Sequence, residues 1–143
     1  MADLEQVGGA CVAWDAEAAE AFSSRHLAPS DDPTMPDDFY ARGVASGELL
    51  LIRWQLGDGS TLAHTALRRE TTDGKSEMVI VGAASARPEL PAMETILPLL
   101  EDFARAWKCC SIRWHTERNG LVKKGQAAGY RVSELVMRKV LDG

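Results

Sequence analysis

The sequence predicts a single α/β (α+β) domain, in which helices flank a mixed, mostly antiparallel central sheet. Three observations support this prediction. The length of 143 residues is about that of one domain. Strand-like and helix-like runs alternate along the chain, with turn residues between them. The apolar content of 45% and the charged content of 26% are typical of globular chains. We expect one domain over residues 1–143, with the element order β-α-(α)-β-β-β-α-β-α-β.

The first third of the chain predicts one strand and two helices. Residues 4–14 alternate weakly in polarity and predict a strand, with a bulge at Gly8-Gly9. Asp15 is placed to N-cap a helix that begins beside it and extends to about residue 28, with an acidic first turn. A loop rich in proline and aspartate follows, and it contains one short helix near residues 37–44.

The middle of the chain predicts an antiparallel meander of three strands. These strands cover residues 49–56, 62–69 and 77–86. Gly57-Asp58-Gly59 separates the first pair, and residues 72–75 (Thr-Asp-Gly-Lys) separate the second pair. Both separators are typical hairpin turns.

The last third predicts two helices and two strands. An apolar face at helical spacing predicts a long helix over residues 97–108, with Pro98 near its first position. A strand over residues 110–116 and a short helix over residues 120–128 follow, and Gly129 ends that helix. Residues 131–141 predict a final extended strand. The apolar face of the long helix consists of Ile96, Leu100, Phe103, Ala104 and Trp107.

Composition argues against several kinds of protein. The net charge of −5 argues against broad binding to nucleic-acid phosphates. No apolar run reaches the roughly 18 residues that a membrane helix needs, and the first ten residues lack a secretory signal. The three cysteines have no C-x-x-C spacing, and the three histidines have no ligand spacing. We therefore expect a cytoplasmic protein with no metal site.

The charge is distributed unevenly, and this suggests a protein partner. Residues 1–48 carry ten acidic residues against two arginines, a net charge of −8, whereas residues 111–141 carry seven basic residues against two acidic ones, a net charge of +5. The basic C-terminal half could hold an anionic ligand or an acidic partner surface, and the asymmetry could also join copies of the chain head to tail. The alternative is two solvated faces. The candidate partner-binding residues are Arg118, Lys123, Lys124 and Arg131.

The C-terminal half resembles the GCN5-related N-acetyltransferase (GNAT) fold. Its proline-ended strand at Pro88, the helix leucines Leu99-Leu100, the Asn119 position and the pair Gly129-Tyr130 match that family's pattern. The resemblance implies acetyl-CoA as cofactor, with its pyrophosphate held by the backbone of an Arg/Gln-x-x-Gly-x-Gly/Ala loop before the long helix. It also implies a tyrosine general acid in the last helix.

The chain departs from the family at the positions that carry this chemistry. In the ungapped match, Pro91 takes the Arg/Gln place, Glu94 the first glycine and Ile96 the second. Proline has no N–H, a carboxylate repels phosphate, and a β-branched side chain blocks close approach of the backbone. Gly125, which has no proton to give, takes the place of the tyrosine. The sequence therefore predicts a degenerate cofactor site, with no cofactor expected.

Two functions follow from these patterns. The first is a non-catalytic binding or structural protein; small diverged proteins of this fold are familiar in tailed bacteriophages, where some resemble virion or host-interaction components. The location would then be the host cytoplasm or the virion. The alternative is an active N-acetyltransferase with an atypical loop. Asn119 is its candidate cofactor contact, and His115 with Glu117 are its candidate catalytic base pair, unless they are polar residues at a strand end.

Overall fold

The computed structural model describes residues 4–24, 38–116 and 118–141. That part of the chain contains five strands and four α-helices, after a short 3-10 helix at Leu4–Gln6. In chain order they are β1 (Gly8–Cys11), α1 (Ala16–Ser24), α2 (Phe39–Ser46), β2 (Leu50–Gln55), β3 (Thr61–Thr72), β4 (Lys75–Ser85), α3 (Ala92–Ala106), β5 (Ser111–Trp114) and α4 (Asn119–Ala127).

The strands form one open sheet in the order β1-β2-β3-β4-β5. Neighbouring strands from β1 to β4 are antiparallel, and β4 pairs with β5 in parallel. A parallel pair needs a crossover connection, and α3 supplies it. The predicted fold class, a mixed and mostly antiparallel sheet flanked by helices, is confirmed.

Helices cover both faces of the sheet, and two apolar clusters fill the layers. One cluster joins Ile52, Trp54 and Met78 to the buried side of α3. The other joins Leu51 and Ala66 to α1 and α2. Successive residues of a strand point to opposite faces, so β2 contributes to both clusters in turn.

The turn and capping signals of the sequence are confirmed. Asp73 and Gly74 connect β3 to β4 with φ angles of 52° and 76°, the left-handed values that a two-residue hairpin turn requires. The Asp15 carboxylate accepts a hydrogen bond of 2.9 Å from the Ala18 amide and so caps α1. The predicted end of α1, near residue 28, lies outside the described residues.

The long helix begins earlier than the sequence predicts. Helix α3 begins at Ala92, and Pro98 lies inside it on the exposed side. Pro91 is its N-cap residue, and the Pro91 carbonyl accepts both the amide (3.2 Å) and the hydroxyl (2.8 Å) of Thr95. Pro98 is tolerated because its ring faces solvent and only the amide bond to the Glu94 carbonyl is lost.

The apolar face of α3 lies against the sheet as predicted. Ile96, Leu97, Leu100 and Ala104 are buried in the core. Phe103 and Trp107 pack against the same cluster but remain half-buried. The apolar face is therefore less completely buried toward the C-terminal end of the helix.

The ends of the chain differ most from the prediction. The first strand covers only Gly8–Cys11, because residues 4–6 form a 3-10 helix and residues 12–14 lie beyond the strand. The bulge predicted at Gly8-Gly9 is wrong, because both glycines pair in regular register with β2. Helix α4 ends as expected at a left-handed Gly129 (φ 92°), where the Tyr130 and Gly129 amides bond back to the Gly125 and Gln126 carbonyls. The predicted final strand is wrong, because residues 131–141 belong to no helix or strand and pair with no strand of the sheet.

Within the described ranges, no helix is long and apolar enough to cross a membrane.

Candidate functional site

The sheet opens between β4 and β5. The two strands pair from Glu77 with Ser111 to Ile80 with Trp114, and β5 ends there while β4 continues to Ser85. The edge of β4 that faced β5 is therefore unpaired over residues 81–85. We call this edge, with the chain that follows Trp114, the β4–β5 gap.

A β-bulge lies where the gap begins. Ala66 pairs with Gly82 and Leu67 with Ile80, so Val81 is an extra residue on β4. A bulge leaves its extra residue outside the regular ladder and turns the strand, and bulges are common beside binding sites. On the α2 side, the Tyr40 ring lies over Gly82, and burial raises the pKa of Tyr40 to about 12.

Helix α3 begins at Ala92, shortly after β4 ends at Ser85 beside the gap. The Ala92 amide bonds to the Leu90 carbonyl and the Thr95 amide to the Pro91 carbonyl. In the part of the chain that the structure describes, the amides of Met93 and Glu94 have no acceptor. Two free amides at a helix N-terminus favour an anion.

Glu94 lies in the first turn of α3, and a lysine of α4 pairs with its carboxylate. Lys124 Nζ on α4 lies 3.3 Å from Glu94 Oε1. Both side chains are about half exposed, so the pair contributes at most about 1 kcal/mol to stability. The pair lies beside the N-terminus of α3, because Glu94 is in the first turn of that helix.

The other two loop substitutions have different surroundings. Pro91 is exposed at the N-cap and provides no side-chain cap. Ile96 is only 4% exposed, and its side chain belongs to the core under α3. Because the helix begins at Ala92, the amides from Thr95 onward are used inside it. Ile96 therefore contributes to packing, and it is the helical backbone that excludes a ligand there.

The position of the missing tyrosine is filled by packing. Gly125 is buried, and a Cβ at this position would lie 2.9 Å from Trp114 Cζ2. The Tyr130 ring packs on Trp114 with centroids 4.5 Å apart and the ring planes tilted by 52°, and its hydroxyl donates a hydrogen bond to Glu101 at 3.1 Å. Burial, and then the negative charge of Glu101, raise the pKa of Tyr130. The Tyr130 hydroxyl proton is therefore held in the hydrogen bond to Glu101 on α3.

The remaining predicted site residues are not brought into one cluster. His115 is exposed just beyond β5, and Glu117 lies outside the described residues. Asn119 is the exposed first residue of α4, and the Arg118 amide before it donates to Thr116 Oγ1 at 3.0 Å. Of the predicted basic surface, Lys124 is engaged by Glu94, whereas Arg118, Lys123 and Arg131 are exposed.

A second polar cluster lies on the opposite face, under α1. Arg53 contacts Asp15 at 2.6 Å and Glu17 at 2.9 Å, and its Nε donates to His64 Nε2 at 3.0 Å. Burial, followed by the charge of Arg53, lowers the pKa of His64. The ring is therefore neutral and accepts at Nε2, with its proton on Nδ1. These contacts join α1 to the sheet, which is a structural role.

The fold is that of known acetyltransferases. An acetyltransferase of Trypanosoma brucei is similar over 95% of this chain and 100% of its own, with a TM-score of 0.66 and 11% identity. Glucosamine-6-phosphate N-acetyltransferase of Arabidopsis thaliana is similar over 96% of this chain and 99% of its own, with a TM-score of 0.62 and 10% identity. An aminoglycoside N-acetyltransferase in complex with CoA is similar over 94% of this chain and 95% of its own, with a TM-score of 0.58 and 15% identity. Neither a protein-family model nor a curated protein matches the chain.

These similarities define the class of fold. The chain has a GNAT acetyltransferase fold, at identities that show architecture alone. At the positions that match the family's pyrophosphate loop in the sequence, this chain has different residues. Pro91 has no amide N–H, Glu94 carries a carboxylate, and the Ile96 amide lies within α3.

Sequence reasoning missed three features of this region. The bulge at Val81 depends on strand register, for which the sequence has no signal. The Glu94–Lys124 pair joins residues thirty positions apart on different helices. The engagement of Tyr130 by Glu101 is equally remote. In the sequence, only Gly125, a glycine inside a short helix, indicates close packing.

Proposed function

We propose that this chain uses the acetyltransferase fold as a binding or structural protein and does not hold coenzyme A as enzymes of this fold do. One observation carries the proposal: the segment in the place of the pyrophosphate loop is the first turn of α3, and its carboxylate Glu94 pairs with Lys124. A phosphate entering there would meet the like charge of Glu94 and would have to displace that carboxylate from Lys124.

The place of the general acid supports the same proposal. Gly125 has no proton to donate, and Trp114 occupies the space into which a larger side chain would grow. Tyr130, the nearest phenol along the chain, donates to Glu101 instead. The exposed basic residues Arg118, Lys123 and Arg131 are the surface that we propose for an acidic protein partner. A virion or host-interaction role in a tailed bacteriophage remains part of this proposal and rests on the sequence resemblance.

A second function is an active N-acyltransferase with an atypical loop. The β4–β5 gap and the bulge at Val81 favour it, because they leave the β4 backbone open to a ligand. Lys124 favours it as well, since a half-exposed lysine can exchange Glu94 for a phosphate. The similar aminoglycoside N-acetyltransferase was solved with CoA.

Calorimetric titration with acetyl-CoA and with desulfo-CoA separates the two functions. We expect a Kd above about 1 mM for both ligands, which is a binding free energy weaker than about 4 kcal/mol. Micromolar binding of either ligand would refute the proposal.

Two variants make this titration sharper. Glu94→Gln removes the carboxylate, and Lys124→Gln removes the cation that contacts it at 3.3 Å. If the chain is an enzyme, the first should tighten binding and the second should weaken it. If our proposal is correct, both variants bind acetyl-CoA with a Kd above about 1 mM, because residues 92–96 remain helical and form no loop around a pyrophosphate.

A further inference from the structure

The histidine beneath α1 is buried in a position that suits only its neutral form. His64 on β3 is 1% exposed. Its Nε2 accepts a hydrogen bond of 3.0 Å from Arg53 Nε, and its Nδ1 is buried without a hydrogen-bond acceptor in the described part of the chain. A buried charge without hydrogen-bond partners is costly, so an imidazolium would be strongly disfavoured at this position.

Three charged side chains face His64 from the elements that pack on it. Arg53 belongs to β2, whereas Asp15 caps α1 and Glu17 lies in its first turn. Both carboxylates contact Arg53, at 2.6 Å for Asp15 and 2.9 Å for Glu17. Much of their negative charge is therefore directed to the guanidinium of Arg53 rather than to the imidazole.

The other elements around His64 contribute no charge. On β4 its partner is Ala84. On α2 the nearest aromatic cover comes from Tyr40, and because burial raises the pKa of Tyr40 to about 12, its phenol is neutral near pH 7. Arg53 is thus the described cation that a protonated His64 would oppose.

A proton on Nε2 would turn this nitrogen from an acceptor into a donor. The N–H of Arg53 would then point at another N–H about 3 Å away, and two positive charges would lie side by side in the protein interior. Burial and then Arg53 lower the pKa of His64, and the carboxylates of Glu17 and Asp15 offset this only in part. His64 therefore takes up a proton more readily once water reaches it.

Helix α1 is the part of the cover that can open most easily. It has nine residues, and Ala18 and Phe22 are its buried members. The Phe22 ring meets the His64 ring edge-on, with centroids 6.4 Å apart. The larger apolar cluster lies on the other face of the sheet and contains no described residue of α1. Separation of α1 should therefore cost less free energy than unfolding of the whole domain.

We propose that proton uptake by His64 releases α1 from the sheet at mildly acidic pH, while the rest of the domain stays folded. Release hydrates the imidazolium and opens the apolar cluster that Ala18 and Phe22 close. This proposal does not depend on the proposed function.

The direction of the pH dependence follows from the two states of His64. The docked state binds the proton more weakly than the released state, in which the histidine has its ordinary pKa of about 6.5. Docking of α1 is therefore fully stable above about pH 6.5 and weakens as the pH falls below it. The Ala18 amide and then Arg53 lower the pKa of Asp15, so this carboxylate stays charged throughout that range.

Amide hydrogen exchange of the full chain, measured by NMR at pH 7.5 and pH 5.0, tests the proposal. Protection factors of α1 (Ala16–Ser24) are compared with those of α3 (Ala92–Ala106), after correction for intrinsic exchange rates. We expect protection of α1 to fall by about 10- to 30-fold, up to the ratio of charged to neutral imidazole at pH 5.0 for a solvated histidine. Protection of α3 should change by less than about 2-fold.

His64→Gln separates the proton from the packing. A glutamine carbonyl can accept the Arg53 N–H and does not titrate, so α1 should remain protected at both pH values. His115→Gln is the matched control, because His115 is exposed beyond β5. This control should retain the loss of α1 protection at pH 5.0.

Three results would contradict the proposal. Equal protection of wild-type α1 at both pH values would show that a protonated His64 is accommodated under a docked helix, for example by donating to Glu17. A parallel loss in α1 and α3 would indicate global acid unfolding. An undiminished loss in His64→Gln would assign the response to another group. If His64→Gln does not fold, the ring signals of wild-type His64 decide, because their titration midpoint must coincide with that of the loss of α1 protection.

Discussion

Leu100→Ala is expected to lower the free energy of unfolding by about 2–5 kcal/mol. Leu100 is 2% exposed and lies in the cluster between α3 and the sheet, so its removal leaves a cavity that neighbouring core residues fill only in part. A loss of this size is a large fraction of the stability of a domain this small. Urea unfolding followed by fluorescence of the four tryptophans measures it.

Leu99→Ala is the matched control for this substitution. Leu99 is the preceding residue of α3, and it is half-buried at the edge of the same cluster. Its removal should cost clearly less. Equal losses for the two variants would mean that α3 is rotated from the position described.

Gly125→Ala is expected to destabilise the protein, against its helix propensity. At a solvent-exposed position in a helix, alanine is favoured over glycine by about 1 kcal/mol. At this position the added Cβ would lie 2.9 Å from Trp114 Cζ2 and 3.7 Å from Tyr130 Cβ, and the Tyr130 ring itself packs on Trp114. We expect a net loss of about 1–3 kcal/mol from overpacking, measured as a lower Tm.

Gly120→Ala tests the same substitution where there is room. Gly120 lies in the same helix and is exposed, and its added Cβ would meet nothing within 4 Å. This variant should be neutral or stabilised by up to about 1 kcal/mol. If Gly125→Ala behaved in the same way, the glycine in the tyrosine's place would not be explained by packing.

The sequence predicted local features well, because they depend on neighbouring residues. The Asp73-Gly74 turn and the Asp15 cap are each determined within four residues of chain. The same holds for the left-handed Gly129 at the end of α4. The apolar face of α3 was readable for the related reason that helical spacing repeats over several turns.

The features that the sequence did not predict depend on distant residues. The sequence predicts the start of α3 at about residue 97, because proline is favoured at a first helical position and Pro98 follows, but the Pro91 carbonyl and Thr95 form an earlier start. The sequence predicts a strand over residues 131–141 from their own pattern, whereas strand pairing depends on an edge elsewhere in the sheet. The Glu94–Lys124 pair links two helices, so no local pattern contains it.

A site-resolved titration tests most directly whether residues 92–96 form the first turn of α3 and leave no site for a phosphate. In an NMR experiment on the labelled full chain, residues 92–96 should show helical Cα shifts. The amide signals of Met93 and Glu94 should show no saturable movement as acetyl-CoA is raised to about 1 mM, because Glu94 and the helical backbone leave no phosphate cradle there. Non-helical shifts over these residues, together with saturable movement of those two amides, would contradict the account.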